Sequence, residues 1–268
     1  MSKKYRYGRK ILITGASSGI GLACARMFAS RGYDVIAVSR KAGGDIERIG
    51  NGSLTPCAMD VTRPETYCAL DSYLDDVGII VHCAGFGIAG AAEDTPMDMV
   101  RRQMEINYFG ILSLNSYVLP HMRNRGSGLV MVIGSIAGRV SIPFQSHYSS
   151  TKFALEAYIE GLRIECRPYG IRAVVIEPGD TRTGFTANRV WNDAPSVYRE
   201  RCRVAVSRME KDEMNGKPPE SVARVAYALA GRKNPPIRVA VGMSYKLLMM
   251  AKRLLPSRFV EWIVSKLY

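Results

Sequence analysis

The 268-residue sequence lacks the features that mark membrane-spanning and secreted proteins. It has no run of about 18 uncharged apolar residues, so it predicts no membrane-spanning helix. The apolar stretch after the basic N-terminus is too short for a signal peptide and is interrupted by Gly15 and Gly19. The six cysteines are scattered without a C-x-x-C pair, which argues against a zinc site or a disulfide framework. We therefore expect a cytoplasmic protein with reduced thiols and no metal site.

Acidic residues are also scarce, because 24 Asp and Glu stand against 37 Lys and Arg and leave a net charge of +13. Such an excess attracts anionic partners such as nucleic acid, acidic lipid or a phosphorylated ligand. Residues 231–268 carry eight basic residues and one acid, Glu261. Charge is the only feature that would indicate nucleic-acid binding, which we therefore do not expect.

Short β-branched runs alternate with helical stretches along the first half of the chain. Apolar runs bounded by glycine are typical of a parallel sheet that is covered on both faces. The alternation predicts an α/β fold, a doubly wound Rossmann-like parallel sheet with helices on both faces, in one domain over residues 1–268. A helix is predicted over residues 19–29, and the predicted strands are residues 10–14, 34–39, 54–59, 78–82, 128–133, 171–176 and 237–241.

A glycine-rich turn, Thr14-Gly-Ala-Ser-Ser-Gly-Ile-Gly21, joins the first predicted strand to the first predicted helix. Backbone N–H groups at the start of a helix bind pyrophosphate, and glycines permit the tight turn and the close approach of the ligand. The turn therefore predicts a dinucleotide site that includes Gly15, Ser17, Ser18, Gly19, Ile20 and Gly21.

The second predicted strand ends in Ser39-Arg40-Lys41. An NAD site usually has an acidic residue at this position, which accepts hydrogen bonds from the ribose 2′-hydroxyl. Here a hydroxyl and two cations stand there instead, and the planar guanidinium of arginine suits phosphate oxygens. We therefore predict that Ser39, Arg40 and Lys41 bind the 2′-phosphate of NADP(H).

Tyr148 and Lys152 are four residues apart, which places both side chains on one face of a helix. A phenol titrates near 10, and a neighbouring ammonium favours the phenolate and brings that pKa closer to neutrality. Ser135, thirteen residues upstream, supplies a hydroxyl that can hold the same substrate oxygen. The three residues predict a catalytic site that moves a proton on or off an alcohol.

The glycine pattern, Ser135, Tyr148 and Lys152 together resemble the short-chain dehydrogenase/reductase family, over about residues 10–185. The resemblance implies a seven-stranded sheet, hydride exchange between a nicotinamide and a ketone or secondary alcohol, and a homodimer or homotetramer. It makes Asn107 a catalytic residue that holds a helix kink and a proton-relay water. It also adds the cofactor contacts Asp60, Val61, Cys83, Ala84, Gly85, Pro178, Gly179, Thr181 and Thr183.

One segment departs from the family pattern. His82-Cys83-Ala84-Gly85 replaces Asn-Asn-Ala-Gly, so a side-chain amide that would bond the backbone is missing. We expect His82 to be structural and His147 to position the loop before Tyr148.

Residues 186–216 occupy the place of the family's substrate lid and contain no predicted strand. Apolar residues in and next to this lid, and in two loops that flank the reacting centre, predict an apolar substrate. They are Phe185, Val190, Trp191, Val197, Tyr198, Val204, Val206 and Met209, with Phe86, Ile88, Val140, Ile142, Pro143 and Phe144 in the loops.

The segment from Pro178 to Phe185 and the basic tail are similar to the hydroxysteroid dehydrogenase-like branch, which implies a steroid, bile acid or related lipid. A 3-oxoacyl thioester or keto-lipid reductase is the enzymatic alternative, and an NADPH-sensing regulator is the non-enzymatic one. Residues 243–268 are amphipathic and divided by Pro256. They fit a helix in a membrane interface, a helix packed over the substrate cleft, or a subunit contact.

Overall fold

The computed structural model describes residues 5–192 and 196–268, so residues 1–4 of the predicted domain and residues 193–195 of the predicted lid lie outside the described residues. The described residues form ten strands and eight α-helices. The strands are β1 (Lys10–Thr14), β2 (Asp34–Ser39), β3 (Glu47–Ile49), β4 (Gly52–Ala58), β5 (Val77–His82), β6 (Ile88–Ala89), β7 (Gly128–Ile133), β8 (Ile171–Pro178), β9 (Val190–Trp191) and β10 (Arg238–Val241). The helices are α1 (Gly19–Ser30), α2 (Met97–Met104), α3 (Gly110–Arg125), α4 (Ser146–Cys166), α5 (Arg199–Met214), α6 (Glu220–Ala230), α7 (Met243–Leu254) and α8 (Ser257–Leu267).

The main sheet has the strand order β10-β8-β7-β5-β1-β2-β4-β3. All pairs are parallel except β3 with β4. Because the parallel strands share one direction, their carboxyl ends meet along one edge of the sheet. The strand order changes direction between β1 and β5, and the crevice at the carboxyl ends of these strands is where such folds bind ligands. The structure thus has the predicted α/β architecture.

Helices cover both faces of the sheet, and the strand side chains alternate between two hydrophobic clusters. Ile11 and Ile13 of β1 pack with Phe28 of α1 on one face. Leu12 packs with Leu114 of α3 and Leu155 of α4 on the other. The central strands are buried on both sides, which explains why their sequences are continuously apolar rather than alternating.

Three strands, β3, β6 and β9, were not predicted from the sequence. The short strand β3 joins β4 through the turn at Gly50 and Asn51, with Gly50 at φ +58°, and adds an antiparallel edge strand to the seven parallel ones. The two-residue strand β9 pairs with β6, so the prediction that residues 186–216 contain no strand was wrong. All three strands are too short to show a periodicity in sequence.

The C-terminal segment forms the two predicted helices, α7 and α8, which are separated at Pro256. No helix of the described residues is long and apolar enough to cross a membrane.

Candidate functional site

A cavity of about 820 Å³ opens at the carboxyl edge of the sheet. The loops after six parallel strands line it, and they contribute Gly15, Arg40, Asp60, Cys83, Ser135 and Gly179. Every residue predicted to contact the cofactor lines this cavity except Lys41, which is exposed outside it. The chain turns after β2, so that Arg40 faces the cavity whereas Lys41 faces solvent.

The glycine-rich turn leaves room for a dinucleotide. Gly15 has φ +65°, and a Cβ there would lie 2.8 Å from the amide nitrogen of Ala84. Gly19 has φ +52°, and a Cβ at Gly21 would collide with the carbonyl oxygen of Gly15. Ser18 precedes α1 without capping it by a side-chain bond, so the first N–H groups of the helix face the cavity. These residues fit a pyrophosphate at the helix start.

The loop after β5 lacks the side-chain amide that the family pattern has there, and Thr14 holds the backbone of this loop instead. The Thr14 hydroxyl oxygen accepts hydrogen bonds from the N–H groups of Cys83, at 3.1 Å, and Ala84, at 3.3 Å. The loop after β5 therefore keeps its place beside the glycine turn. Thr14, at the end of β1, thus compensates for the missing amide in residues 82–85.

The proton-transfer residues converge at the centre of the cavity. Tyr148 and Lys152 lie one turn apart on α4, and the Lys152 nitrogen is 5.6 Å from the centre of the Tyr148 ring. Lys152 donates a hydrogen bond to the Ile133 carbonyl at 2.9 Å. Ser135 is half-buried, and its hydroxyl accepts a bond from the Ala137 N–H at 3.0 Å. The structure brings the three side chains together.

Burial dominates the electrostatics of this trio. It raises the pKa of the Tyr148 phenol to about 12, and the Ser135 hydroxyl bond opposes the shift. Burial also lowers the pKa of Lys152 to about 8. Lys152 is not among the charges that set the pKa of Tyr148 here, so the expectation that it lowers the pKa of the phenol stays a prediction.

Asn107 lies in a π-helical turn, Glu105–Phe109, between α2 and α3. Its fully buried side chain accepts a bond from the Phe86 N–H at 3.0 Å and donates to the Phe86 carbonyl at 2.9 Å. It also donates to the Thr151 hydroxyl on α4 at 3.2 Å. The side chain does not line the cavity, so it ties the loop after β5 to the catalytic helix from behind.

His82 is buried at the end of β5, where its Nε2 lies 2.9 Å from the Asn115 side-chain oxygen. Burial lowers its pKa to about 4, so the ring is neutral near pH 7. His147 stands at the start of α4, with its Nε2 3.4 Å from the Ala92 carbonyl. Neither histidine lines the cavity.

The residues predicted for the substrate wall divide into several groups. Phe185, Val190, Phe86, Val140 and Ile142 line the cavity. The others do not line it. Val206 and Met209 are on the buried side of α5, and Val197 and Val204 are exposed. Trp191 and Tyr198 line a separate small cavity, and Ile88, Pro143 and Phe144 are outside the lining of the main one. The sequence could not separate them because a helix with little amphipathic contrast does not reveal which side is buried.

The C-terminal hairpin, defined as residues 243–268 with α7 and α8, supplies one wall of the cavity, a role that the sequence left undecided. Its apolar lining residues are Leu248, Leu255, Val260, Ile263, Val264 and Leu267. The hairpin is fastened by Tyr245, whose hydroxyl bonds to the Asp180 carboxylate and accepts from the Asp180 N–H at 3.0 Å. A Cβ at Gly179 would overlap the Tyr245 ring, so this close packing requires glycine.

Arg189 is a site residue that sequence reasoning missed. Its side chain is fully buried and forms ion pairs with Glu210, at 3.5 Å, and Glu213. The guanidinium lies 5.8 Å from the Phe185 ring centre, and that ring is 5.5 Å from the Tyr148 ring centre. Arg189 thus contacts both α5 and Phe185, the aromatic side chain next to the phenol of Tyr148. An isolated arginine in a polar segment gave no signal in the sequence.

Comparisons with known proteins agree with this geometry. The family model for short chain dehydrogenases matches residues 9–193. The chain is 34% identical over 266 residues to a 3-ketodihydrosphingosine reductase of Bacteroides thetaiotaomicron, covering 96% of this chain and 97% of that protein. It is 30% identical to the dehydrogenase/reductase SDR family member 7B of Danio rerio, covering 96% and 84%.

A short-chain dehydrogenase from Streptomyces avermitilis has a similar crystal structure, with a TM-score of 0.79, 28% identity and coverage of 97% of this chain and 98% of that chain. These relatives do not single out the hydroxysteroid branch. The chain belongs to the short chain dehydrogenase family, as an oxidoreductase that acts on a CH–OH group with a nicotinamide cofactor.

Proposed function

We propose that this protein uses NADPH to reduce a ketone on an apolar lipid to a secondary alcohol. The observation that carries the proposal is the division of the cavity. One end has the glycine turn and Arg40, the other has the apolar wall of the C-terminal hairpin, and Tyr148 lies between them. Tyr245, Lys252 and Tyr268 are the polar side chains that residues 243–268 add to the lining, so a sugar would face mainly hydrocarbon at that wall.

The protein's own part of the reaction is proton transfer and orientation. A bound nicotinamide supplies the hydride. Ser135 holds the substrate oxygen, and Tyr148 donates its proton to it. Burial raises the pKa of the phenol to about 12, so the side chain is protonated near pH 7 and can donate its proton. Lys152 holds the cofactor ribose. Asn107 does not line the cavity and positions α4 through its bond to Thr151, and its part in a proton relay stays a prediction.

NADP(H) is favoured by the electrostatics at the end of β2. Ser39 and Arg40 line the cavity there, and no carboxylate occupies the position that accepts bonds from an unphosphorylated ribose. We assign the 2′-phosphate to these two residues and leave Lys41 outside the contact.

Two observations support the proposed substrate class. The apolar wall accommodates a hydrocarbon chain or ring system, and one relative with full-length coverage is named a reductase of a keto lipid. A long-chain keto lipid is therefore our first candidate. A steroid or bile acid is the second, because the tail and the Pro178–Phe185 segment resemble hydroxysteroid dehydrogenases; a 3-oxoacyl thioester is the third.

We also propose that the protein is a homodimer or homotetramer. Phe153 and Ile164 are exposed on α4, and their spacing of eleven residues places them on one helix face. Sedimentation of the purified protein as a monomer at micromolar concentration would contradict this proposal.

A panel of ketones tests the function. Long-chain 3-keto lipids, a steroid ketone, a 3-oxoacyl thioester and a sugar are each incubated with NADPH or NADH, and cofactor absorbance is followed. We expect fastest turnover with NADPH and a long-chain ketone. The Tyr148→Phe enzyme should lose about 10²–10⁴-fold in turnover and still bind NADPH. Full activity of that variant, or turnover of the sugar alone, would overturn the proposal.

A further inference from the structure

The C-terminal hairpin has a second apolar face, which points away from the cavity. On α7, Met243, Leu247, Met250 and Leu254 follow one another at spacings of four, three and four residues, which makes a single stripe along the helix. Their exposed fractions are 68%, 59%, 64% and 87%. We call these four residues the outer stripe. Such contiguous exposure on a monomer marks an interaction surface.

The second helix of the hairpin extends this exposed surface with aromatic residues. Phe259 and Trp262 are about one turn apart on α8, and their rings stack with centres 5.7 Å apart. Both are about half exposed. Exposed Trp and Phe beside aliphatic side chains are typical of helices that lie in the headgroup layer of a bilayer.

Cations surround the apolar residues. Lys246, Arg253, Arg258 and Lys266 are exposed on the hairpin, against the single acid Glu261. Lysine and arginine next to an apolar stripe bind anionic lipid headgroups while their hydrocarbon stems cover apolar surface. The charge of this surface is therefore complementary to an acidic membrane.

We propose that the outer stripe with Phe259 and Trp262 docks on an anionic lipid bilayer, and that the hairpin is the entrance through which an apolar substrate reaches the cavity. The second half of this statement rests on the proposed function. Its physical basis is that one element has two apolar faces: Leu255 and Ile263 line the cavity, whereas Leu247 and Leu254 face outward. A substrate leaving the bilayer would cross one layer of helices.

A second copy of the chain fits the same surface less well. A two-fold contact would bring identical patches together, so the cations of one copy, including Lys246 and Arg253, would meet an equally basic patch on the other. Like charges in a partly desolvated interface repel, whereas a bilayer that contains acidic lipid neutralises them.

Flotation with vesicles tests the docking directly and needs no turnover. The full chain is mixed with vesicles of neutral phosphatidylcholine alone or with 30% phosphatidylserine, at about 0.1 M salt, where electrostatic attraction acts over about 10 Å. We expect binding to the acidic vesicles, weaker binding at high salt, and a loss of about tenfold or more in the Leu247→Ser, Leu254→Ser double variant. Lys246→Glu with Arg253→Glu should lose a similar factor.

The matched control is the Ile46→Ser, Met97→Ser double variant, which removes two side chains of comparable exposure, 55% and 57%, that do not line the cavity. It should bind vesicles as the unchanged protein does. Equal binding by both apolar variants, absence of binding, or conversion of an oligomer to a monomer by the Leu247 and Leu254 changes would overturn the proposal. Reduction of a short water-soluble ketone measures the proposed function separately, and it should be equal in both variants.

Discussion

The buried guanidinium of Arg189 is paired with the carboxylate of Glu213, and the pair lies on the lid side of the catalytic tyrosine. The two charges have opposite effects on that tyrosine, since Glu213 raises the pKa of Tyr148 and Arg189 lowers it. After correction of its amide orientation, Gln145 also accepts bonds from Arg189, at 2.9 and 3.3 Å. Gln145 immediately precedes α4, so the pair connects the lid to the first turn of the catalytic helix.

We expect Arg189→Met to leave Glu213 as an uncompensated, partly buried charge. Removal of one partner of a buried pair costs about 3–5 kcal/mol of stability. The pKa of Tyr148 should rise further, so the pH at which the oxidation rate increases should move upward. Turnover should fall by about tenfold and recover in part in Arg189→Lys. Denaturant unfolding and a pH–rate profile measure these effects.

The control for Arg189 is Arg63→Met, which removes an exposed pair with Glu65 at 2.8 Å. Exposed pairs contribute about 0–1 kcal/mol, so stability and the pH profile should hardly change. An unchanged pH profile in Arg189→Met would show that the pair has no electrostatic role at the site.

Arg40→Ala should weaken NADPH binding by about 10–100-fold, because a charge-assisted bond contributes about 1.5–3 kcal/mol. NADH binding should stay the same, since NADH has no 2′-phosphate. Fluorescence titration of both cofactors gives the two dissociation constants.

Lys41→Ala is the matched control, because Lys41 carries the same charge but lies outside the cavity. It should change both dissociation constants by less than about threefold, an exposed cation being largely screened. A larger effect from Lys41 than from Arg40 would refute the assignment of the 2′-phosphate site.

Acid should destabilise the protein through His82. Its folded pKa of about 4 lies below the ordinary value of 6.5, so the unfolded state binds the extra proton between these two values. The stability that the neutral ring provides is complete above about pH 6.5 and is lost as the pH falls toward 4. At about 1.4 kcal/mol per pKa unit, the loss is roughly 3 kcal/mol.

Denaturant unfolding from pH 7 to pH 4.5 measures this loss. In His82→Gln the stability should depend less steeply on pH over that range, since the titrating group is gone. His147→Gln, which changes a histidine that is not fully buried at the start of α4, should keep the slope of the unchanged protein. Identical slopes in all three proteins would contradict the role of His82.

The sequence predicted those parts of the protein that depend on local periodicity. Continuous apolar runs gave the seven parallel strands, and the spacing of Tyr148 and Lys152 placed both on one face of α4. The turn from Gly15 to Gly21 marked the cofactor end because strand, turn and helix are consecutive. The parts that could not be predicted depend on contacts between distant segments.

Three examples show the limit. Arg189 meets Glu213 only after the chain has folded, and no local pattern distinguishes it from a solvated arginine. The pKa of Tyr148 depends on its burial in the complete cavity. The amphipathic pattern of residues 243–268 predicted helices with apolar surface, but it could not show that this surface has an inner face and an outer one.

The hairpin's attachment has a consequence for how such an enzyme can be altered. The hairpin contacts the loop after β8 where Tyr245 meets Gly179 and Asp180, and Tyr245 lies about ninety residues after Lys152. The hairpin's part of the substrate wall and the proton-transfer group are therefore encoded in separate parts of the gene. An exchange of residues 243–268 between relatives that keeps Tyr245 would therefore change the range of substrates. The proton-transfer residues would stay unchanged.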